Sequence, residues 1–96
     1  MRNLYIISYD IRDQKRWRKV FNIAKGYGVH LQYSVFYCYL SPKEKVLLIS
    51  DIEGVIDHKS DRVLIANIGG PDVNIEQKVE FLGQKNDISP HQAVII

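Results

Sequence analysis

The sequence predicts a small α+β domain in which two helices pack on one face of an antiparallel sheet. Three observations predict it: a length of 96 residues, an alternation of β-rich and helix-periodic segments, and the order of those segments. A chain of this length buries roughly two-thirds of its unfolded surface in one core, so we expect a single domain. The order strand, helix, strand or hairpin, helix, strand is that of the ferredoxin-like βαββαβ unit.

The first two elements are separated by a change of period. Residues 4–11 are mostly aliphatic and aromatic without a helical repeat, which predicts a strand that is apolar on both faces until its end. From Asp13 to Tyr27, apolar side chains recur at helical spacing, which predicts an amphipathic helix. Asp13 can cap its first turn, and Gly26 with Gly28 can end it.

The next two elements have clear boundaries. Residues 29–40 are rich in β-formers but long for one strand, so we expect a kink or a hairpin near Tyr33 and Ser34. Ser41, Pro42 and Glu44 then predict the start of a second helix. Serine suits the cap position, proline suits the first helical position, and a glutamate three residues after the cap completes a capping box.

The last part of the chain predicts one long strand and one short one. Residues 62–68 form the long strand, Gly69-Gly70-Pro71 ends it, and residues 78–82 are a candidate for a short last strand. Residues 1–83 then make up the domain. Residues 84–96 form a tail with an apolar end, which we expect to dock on a dimer or on another partner.

The first strand predicts that both faces of the sheet are covered. Two helices cover only one face, and within 96 residues we identify no further segment for the other. A second copy of the chain is the simplest cover, which gives a homodimer with stacked sheets. The alternative is that apolar side chains stay partly exposed, as in many small domains.

The composition excludes several classes of protein. The apolar fraction of 46% and charged fraction of 25% are those of an ordinary globular domain. The apolar runs are far shorter than the ~20 residues of a membrane-spanning helix, and the first residues do not form a signal peptide. Cys38, the one cysteine, is expected to be a buried hydrophobe in a reducing compartment. We therefore expect a cytoplasmic protein without a membrane partner.

The net charge of +2 is unevenly distributed along the chain. Residues 12–25 hold six basic and one acidic side chain, or +5, which leaves seven basic and ten acidic side chains, or −3, in the other 82. On a helix, the positive segment would form a cationic ridge suited to phosphates, although a solvated face of arbitrary sign explains the charge equally well. The candidate nucleic-acid-binding residues here are Arg12, Lys15, Arg16, Arg18 and Lys19.

Asp10 is the main candidate for chemistry. It follows the apolar part of the first strand and directly precedes the basic helix. A carboxylate there can bind a divalent cation such as magnesium, which would neutralise a phosphodiester and generate a nucleophile. One aspartate is a poor metal site, whereas a dimer could bring two Asp10 carboxylates together. On spacing alone, a structural role at the strand end or in the turn is the simpler interpretation.

Three stretches together resemble the Cas2 family of CRISPR-associated proteins. They are residues 5–11, the helix start at residues 15–20, and Gln32-Tyr33-Ser34-Val35-Phe36 followed by Leu40-Ser41-Pro42. The resemblance extends from the first strand to about Ile68, and residues 79–83 show a weaker similarity. It implies a ferredoxin-like homodimer with stacked sheets and an extra C-terminal strand, which often crosses to the partner's sheet.

The resemblance also implies two alternative functions. Members are similar to endonucleases that depend on magnesium or manganese and act on single-stranded RNA or double-stranded DNA, with Asp10 as the catalytic metal ligand. They also act with the Cas1 integrase in spacer acquisition, where the dimer bridges two integrase dimers and the nuclease activity is dispensable in some systems. The basic residues of the first helix and Phe36 belong to the same functional surface.

Two positions depart from the pattern of the family. His30 stands where many relatives have an arginine, and Tyr37 stands where many have an acidic residue. The first change removes a fixed positive charge near Asp10, and the second removes a carboxylate that could share a metal. A third class of function, a regulatory domain that binds a small metabolite, has no recognisable pocket motif in this chain.

Overall fold

The chain folds into an antiparallel sheet with its two longer helices on one face. A computed structural model describes residues 1–83. Its elements are β1 Asn3–Asp10, α1 Gln14–Tyr27, β2 Val29–Gln32, β3 Val35–Leu40, α2 Pro42–Glu53, β4 Arg62–Gly69 and α3 Ile75–Lys78. The four strands lie in the order β2-β3-β1-β4, and each neighbouring pair is antiparallel. This arrangement confirms the predicted ferredoxin-like fold.

β1 lies inside the sheet and pairs with a strand on each side. Ser8 lies opposite Val35 of β3, and Asp10 lies opposite Arg62 of β4. Both faces of β1 are apolar because each packs in a hydrophobic cluster: Ile7 faces the helices, and Leu4 faces the second cluster. The strand ends one residue earlier than predicted, and Ile11 is buried in the connection to α1.

Both predicted helix starts are confirmed. The Asp13 carboxylate accepts a hydrogen bond of 2.9 Å from the backbone N–H of Arg16 at the start of α1. Ser41 and Glu44 form both halves of the capping box of α2. These bonds satisfy amides that have no partner within the first helical turn. Among the described residues, neither these helices nor α3 has the length and apolarity needed to cross a bilayer.

The helix-facing side of the sheet contains the main core. Cys38 lies in this core, and its burial raises the pKa of its thiol to about 12. This confirms that Cys38 packs as a hydrophobe, because a thiol that stays protonated at neutral pH is a poor nucleophile. The fully or nearly fully buried members of the core are Tyr5, Ile7, Tyr9, Ile11, Val20, Ala24, Phe36, Cys38, Leu40, Leu48 and Ile52.

The second face of the sheet is partly covered by the same chain. Leu4, Leu31 and Tyr37 form a buried cluster with Ile75 of α3, and the Tyr39 hydroxyl donates a 2.8 Å hydrogen bond to the Val73 carbonyl. The expectation that no segment of the chain could cover this face was wrong, because residues 73–81 fold back across it.

The second face is still incompletely covered. Leu64 on β4 is 54% exposed, and Ile6 and Ala66 on the same face are partly exposed. Large apolar side chains that remain in water on one face of a sheet mark a surface where another apolar surface can pack. The expectation that the sheet of a second copy covers this face therefore applies only to the part of the face near β4.

Residues 78–82 do not form the predicted short strand within the described chain. Lys78 ends α3, and residues 79–82 form no ladder with the strands of residues 1–83. The Asn74 side chain accepts a 2.9 Å hydrogen bond from the Glu76 amide and starts a helical turn instead. Val79 and Phe81 then pack on the second face of the sheet. The predictions for residues 84–96 lie outside the described residues.

Candidate functional site

Asp10 ends β1 beside an open cavity. The cavity measures about 620 Å³ and is enclosed by the end of β1, the start of α1 and the turn between β2 and β3. The Asp10 side chain is exposed, and it forms no hydrogen bond or ion pair within residues 1–83. A carboxylate without a partner in the protein is available to a ligand, so the site predicted at this strand end is accessible.

The described residues of one chain bring a single carboxylate, Asp10, to this strand end. Within residues 1–83, no three His, Cys, Asp or Glu side chains come together in a way that could hold a metal ion. Tyr37, which replaces the acidic residue of many relatives, is buried on the second face of the sheet. Magnesium prefers six oxygen ligands in an octahedral arrangement. One carboxylate fits that donor chemistry but not the number of ligands, as expected from the sequence.

Arg62 is a candidate residue that the sequence did not reveal. It is the first residue of β4 and lies directly opposite Asp10 in the antiparallel pair. Directly opposite residues point to the same face, with their Cβ atoms about 4.5–5.5 Å apart. Arg62 is exposed and forms no ion pair or hydrogen bond within the described chain. Its guanidinium can therefore reach a group held by Asp10, and it supplies a fixed positive charge at this strand end.

The predicted cationic ridge is present on α1. Lys15, Arg18 and Lys19 are exposed on the helix, and Arg12 is exposed in the connection that precedes it. None of these four side chains forms an ion pair or hydrogen bond with any residue that the structure describes. Their charges therefore face solvent and are available to phosphates.

Arg16 is engaged by Asp61 instead. Its Nε donates to Asp61 Oδ2 at 2.7 Å, and its second guanidinium nitrogen donates to Oδ1 at 3.3 Å. The Asp61 side chain is 1% exposed, and Oδ2 also accepts a 2.8 Å bond from the Asp57 amide. The hydrogen bond from Arg16 holds the pKa of Asp61 below its ordinary value. This ion pair ties the first turn of α1 to the loop before β4, so a role in binding phosphates would compete with it.

Asp61→Asn is expected to lower the free energy of unfolding at pH 7 by about 1–3 kcal/mol, because a partly buried charge-assisted ion pair is lost. Since the folded state lowers the pKa of Asp61, the carboxylate stabilises the protein above its unfolded pKa of about 4. That stabilisation is lost as the pH falls through the folded pKa, so the variant should depend less on pH below about 4. Chemical denaturation across this range measures both effects. Asp72→Asn, at an exposed carboxylate, is the control, and equal losses in the two variants would contradict the role of the ion pair.

Phe36 lies in the core, which corrects its predicted place on the binding surface. Its exposed fraction is 0%, and its ring packs on Tyr9, Phe21 and His30 with centroid distances of 6.3, 5.3 and 4.9 Å. A fully buried ring has no surface for a nucleic acid. Phe36 therefore supports the end of β1 from within the core.

Tyr9 directly precedes Asp10 in β1, and its hydroxyl is buried in the core. Its ring packs in the core and lines the same cavity, and its hydroxyl has no hydrogen-bond partner among residues 1–83. Burial, with a smaller contribution from Tyr33, raises the pKa of Tyr9 well above its ordinary value. The hydroxyl therefore stays protonated at neutral pH and, like the Phe36 ring, belongs to the core behind the strand end.

The fold and the site together define a ferredoxin-like α+β domain whose central strand ends in an exposed carboxylate beside exposed basic side chains, all of them without partners within residues 1–83. Residues 2–74 match the sequence model of a family described as CRISPR associated protein Cas2. The chain belongs to this family, which confirms the resemblance predicted from its sequence.

Individual relatives agree with the family match. The chain is 42% identical to a CRISPR-associated endoribonuclease Cas2 from Geobacter sulfurreducens over the whole of both chains. It is 41% identical to one from Rhodospirillum rubrum, over 96% of this chain and 89% of the relative.

Solved structures show the same fold. Streptococcus pyogenes Cas2 superposes with a TM-score of 0.74 and 29% identity, over 83% of this chain and 99% of that one. A hypothetical protein from Thermus thermophilus superposes with a TM-score of 0.75 and 33% identity, over 88% and 94% of the two chains.

Proposed function

We propose that this protein is a metal-dependent endonuclease of CRISPR spacer acquisition, which cleaves phosphodiester bonds in single-stranded RNA or double-stranded DNA. The carboxylate of Asp10, which is exposed beside an open cavity and unpaired among the described residues, carries the proposal. Relatives from Geobacter sulfurreducens and Rhodospirillum rubrum that are named endoribonucleases support the activity. In this proposal Asp10 is the catalytic residue.

The metal site would be shared between two copies of the chain. Two Asp10 carboxylates, brought together in a twofold homodimer, would hold Mg²⁺ or Mn²⁺ through oxygen. When bound, the cation supplies charge neutralisation at the phosphodiester and a lowered pKa of water. The side chains near Asp10 would position the substrate next to the cation. Arg62 and Arg12 hold the phosphate.

The homodimer would form through the open part of the second face. Leu64 is exposed there beside the partly exposed Ile6 and Ala66, and burial of such a surface against its own copy is favourable. Sedimentation at micromolar concentration measures the assembly, and a folded monomer as the main species would contradict a shared site.

Cleavage assays with both classes of substrate test the enzymatic proposal. The purified protein is incubated with single-stranded RNA or with duplex DNA, in Mg²⁺, in Mn²⁺ or in EDTA. We expect cleavage of at least one substrate with metal and none in EDTA. Failure to cleave either substrate with either metal would overturn the proposed activity.

A non-catalytic adaptor is the second candidate function. The four basic side chains on and before α1 that are unpaired within residues 1–83 favour it, as does the absence of a second carboxylate beside Asp10 in that part of the chain. A dimer would carry two such faces and could hold duplex DNA by its phosphates while bridging Cas1 integrase dimers. In a reconstituted integration reaction with Cas1, the adaptor predicts full activity of Asp10→Ala. A loss of integration that parallels the loss of cleavage would favour the nuclease.

Arg62→Ala is expected to weaken nucleic-acid binding and to reduce the slope of log affinity against log salt by about one, because one phosphate contact is lost. Arg62→Lys, which keeps the charge, should retain most of that slope. Arg2→Ala is the matched control, since Arg2 lies at the opposite end of β1 and pairs with Glu44. Fluorescence anisotropy of a labelled oligonucleotide over a range of salt measures the slope. An unchanged slope for Arg62→Ala would remove this residue from the site.

A further inference from the structure

The turn between β2 and β3 exposes an aromatic ring beside Asp10. Tyr33 is 75% exposed and lines the same cavity as Asp10. Most other aromatic side chains of the described chain are buried or partly buried. Tyr33 therefore presents a large planar surface to solvent at the point where a bound nucleic acid would pass.

The backbone of Tyr33 is held in a conformation that tyrosine disfavours. Its φ is 25°, and it is the one residue other than glycine with a positive φ within residues 1–83. Tyrosine rarely adopts this region, because its Cβ crowds the backbone. His30 stabilises the turn through a 2.8 Å hydrogen bond from Nε2 to the Tyr33 carbonyl. The turn thus maintains a strained residue whose ring contributes little to the core, which is typical of a functional position.

Trp17 packs against the ring of Tyr33 on the side of the core. The two ring centroids are 5.3 Å apart with an interplanar angle of 31°, and Trp17 stacks in turn on Phe21 at 5.3 Å and 22°. Trp17 Nε1 donates a 2.9 Å hydrogen bond to Ser34 Oγ, which fixes the orientation of the indole. Tyr33 is therefore the outermost member of an ordered aromatic stack that begins in the core.

We propose that Tyr33, supported by Trp17, is a stacking platform for an unpaired base of single-stranded nucleic acid bound at the Asp10 site. The proposal rests on the proposed function, because it requires that a nucleic acid binds there. Exposed aromatic rings bind bases through their π-faces with little sequence preference. The bases of a duplex are already stacked on each other, so the platform favours single strands over duplexes. Arg12 and Arg62 lie close enough to the strand end to hold the adjoining phosphates.

Binding measurements without metal test the platform separately from cleavage. A single-stranded RNA dodecamer, its duplex and an abasic version are titrated in EDTA. Affinity is measured by the anisotropy of the labelled RNA, and the contact is monitored by the emission of Trp17, the one tryptophan of the chain. We expect Tyr33→Gly to bind the single strand roughly 5- to 150-fold more weakly, since one stacking contact is lost. Duplex and abasic affinities should be unchanged.

Two further variants exclude a simple loss of folding. Tyr33→Phe keeps the ring and should bind as the wild type does. Tyr33→Gly should unfold no more easily than the wild type, because glycine tolerates the positive φ that tyrosine disfavours. Wild-type affinity for the single strand in Tyr33→Gly would overturn the platform, whether or not the protein cleaves RNA. An absence of cleavage with normal stacking would overturn the nuclease and leave the platform in place.

Discussion

Asp10→Ala is expected to abolish metal-dependent cleavage while it leaves the fold intact. The carboxylate is exposed and unpaired within the described chain, so its removal breaks no contact, and the free energy of unfolding should change by less than about 0.5 kcal/mol. Cleavage should fall by at least about 10²-fold, because the ligand that places positive charge at the phosphodiester is lost. Gel assays of RNA and DNA in Mg²⁺ and Mn²⁺ measure the rate.

A control and a mixing experiment sharpen this result. Asp72→Ala removes another exposed carboxylate and should cleave at the wild-type rate. Cleavage that survives Asp10→Ala would indicate another site or a contaminating nuclease.

Equal amounts of wild-type and Asp10→Ala chains, refolded together, form a random mixture of dimers. If one cation needs both carboxylates, activity should fall to about a quarter of the wild-type value, whereas two independent sites would retain about half.

Features set by local hydrogen bonding were predicted from the sequence at nearly the correct residue. The two helix caps and the turn at Tyr33 and Ser34 depend on side chains within three or four positions of the backbone groups that they satisfy. The short helix α3 was missed because its four residues have no helical period to detect. It is stabilised by Ile75, which packs on Leu4 and Tyr37, and such contacts between distant segments leave no local pattern.

In the candidate site, too, local features could be predicted from the sequence and contacts between distant segments could not. Asp10 could be predicted, because its position at the end of an apolar strand is visible in the sequence. Arg62 could not, because only the register between β1 and β4 places it opposite Asp10. The engagement of Arg16 was also hidden, since its partner Asp61 lies 45 positions away. The resemblance indicated that Phe36 matters but not that the ring is buried, because a motif carries no information on exposure.

Reversal of the exposed charges on α1 is expected to have the largest effect on binding. In the variant Lys15→Glu, Arg18→Glu, Lys19→Glu, three side chains that face solvent change sign. Affinity for duplex DNA and for single-stranded RNA should fall by about 10³-fold or more at low salt, because phosphate contacts and counterion release are both lost. Arg16 is kept, since its loss would break the pair with Asp61 and confound binding with stability. The helix should persist, because glutamate is about as good a helix former as lysine and arginine.

A second triple variant separates the position of the charge from its amount. Lys43→Glu, Lys59→Glu, Lys78→Glu changes the net charge equally at exposed lysines outside α1. Equal losses of affinity in the two variants would mean that the overall field of the protein, and not the α1 face, attracts nucleic acid. Because the nuclease and the adaptor both need this face, selective loss in the α1 variant supports binding without choosing between them. Asp10→Ala separates the two functions, since it should keep affinity in both cases and lose integration only if integration requires cleavage.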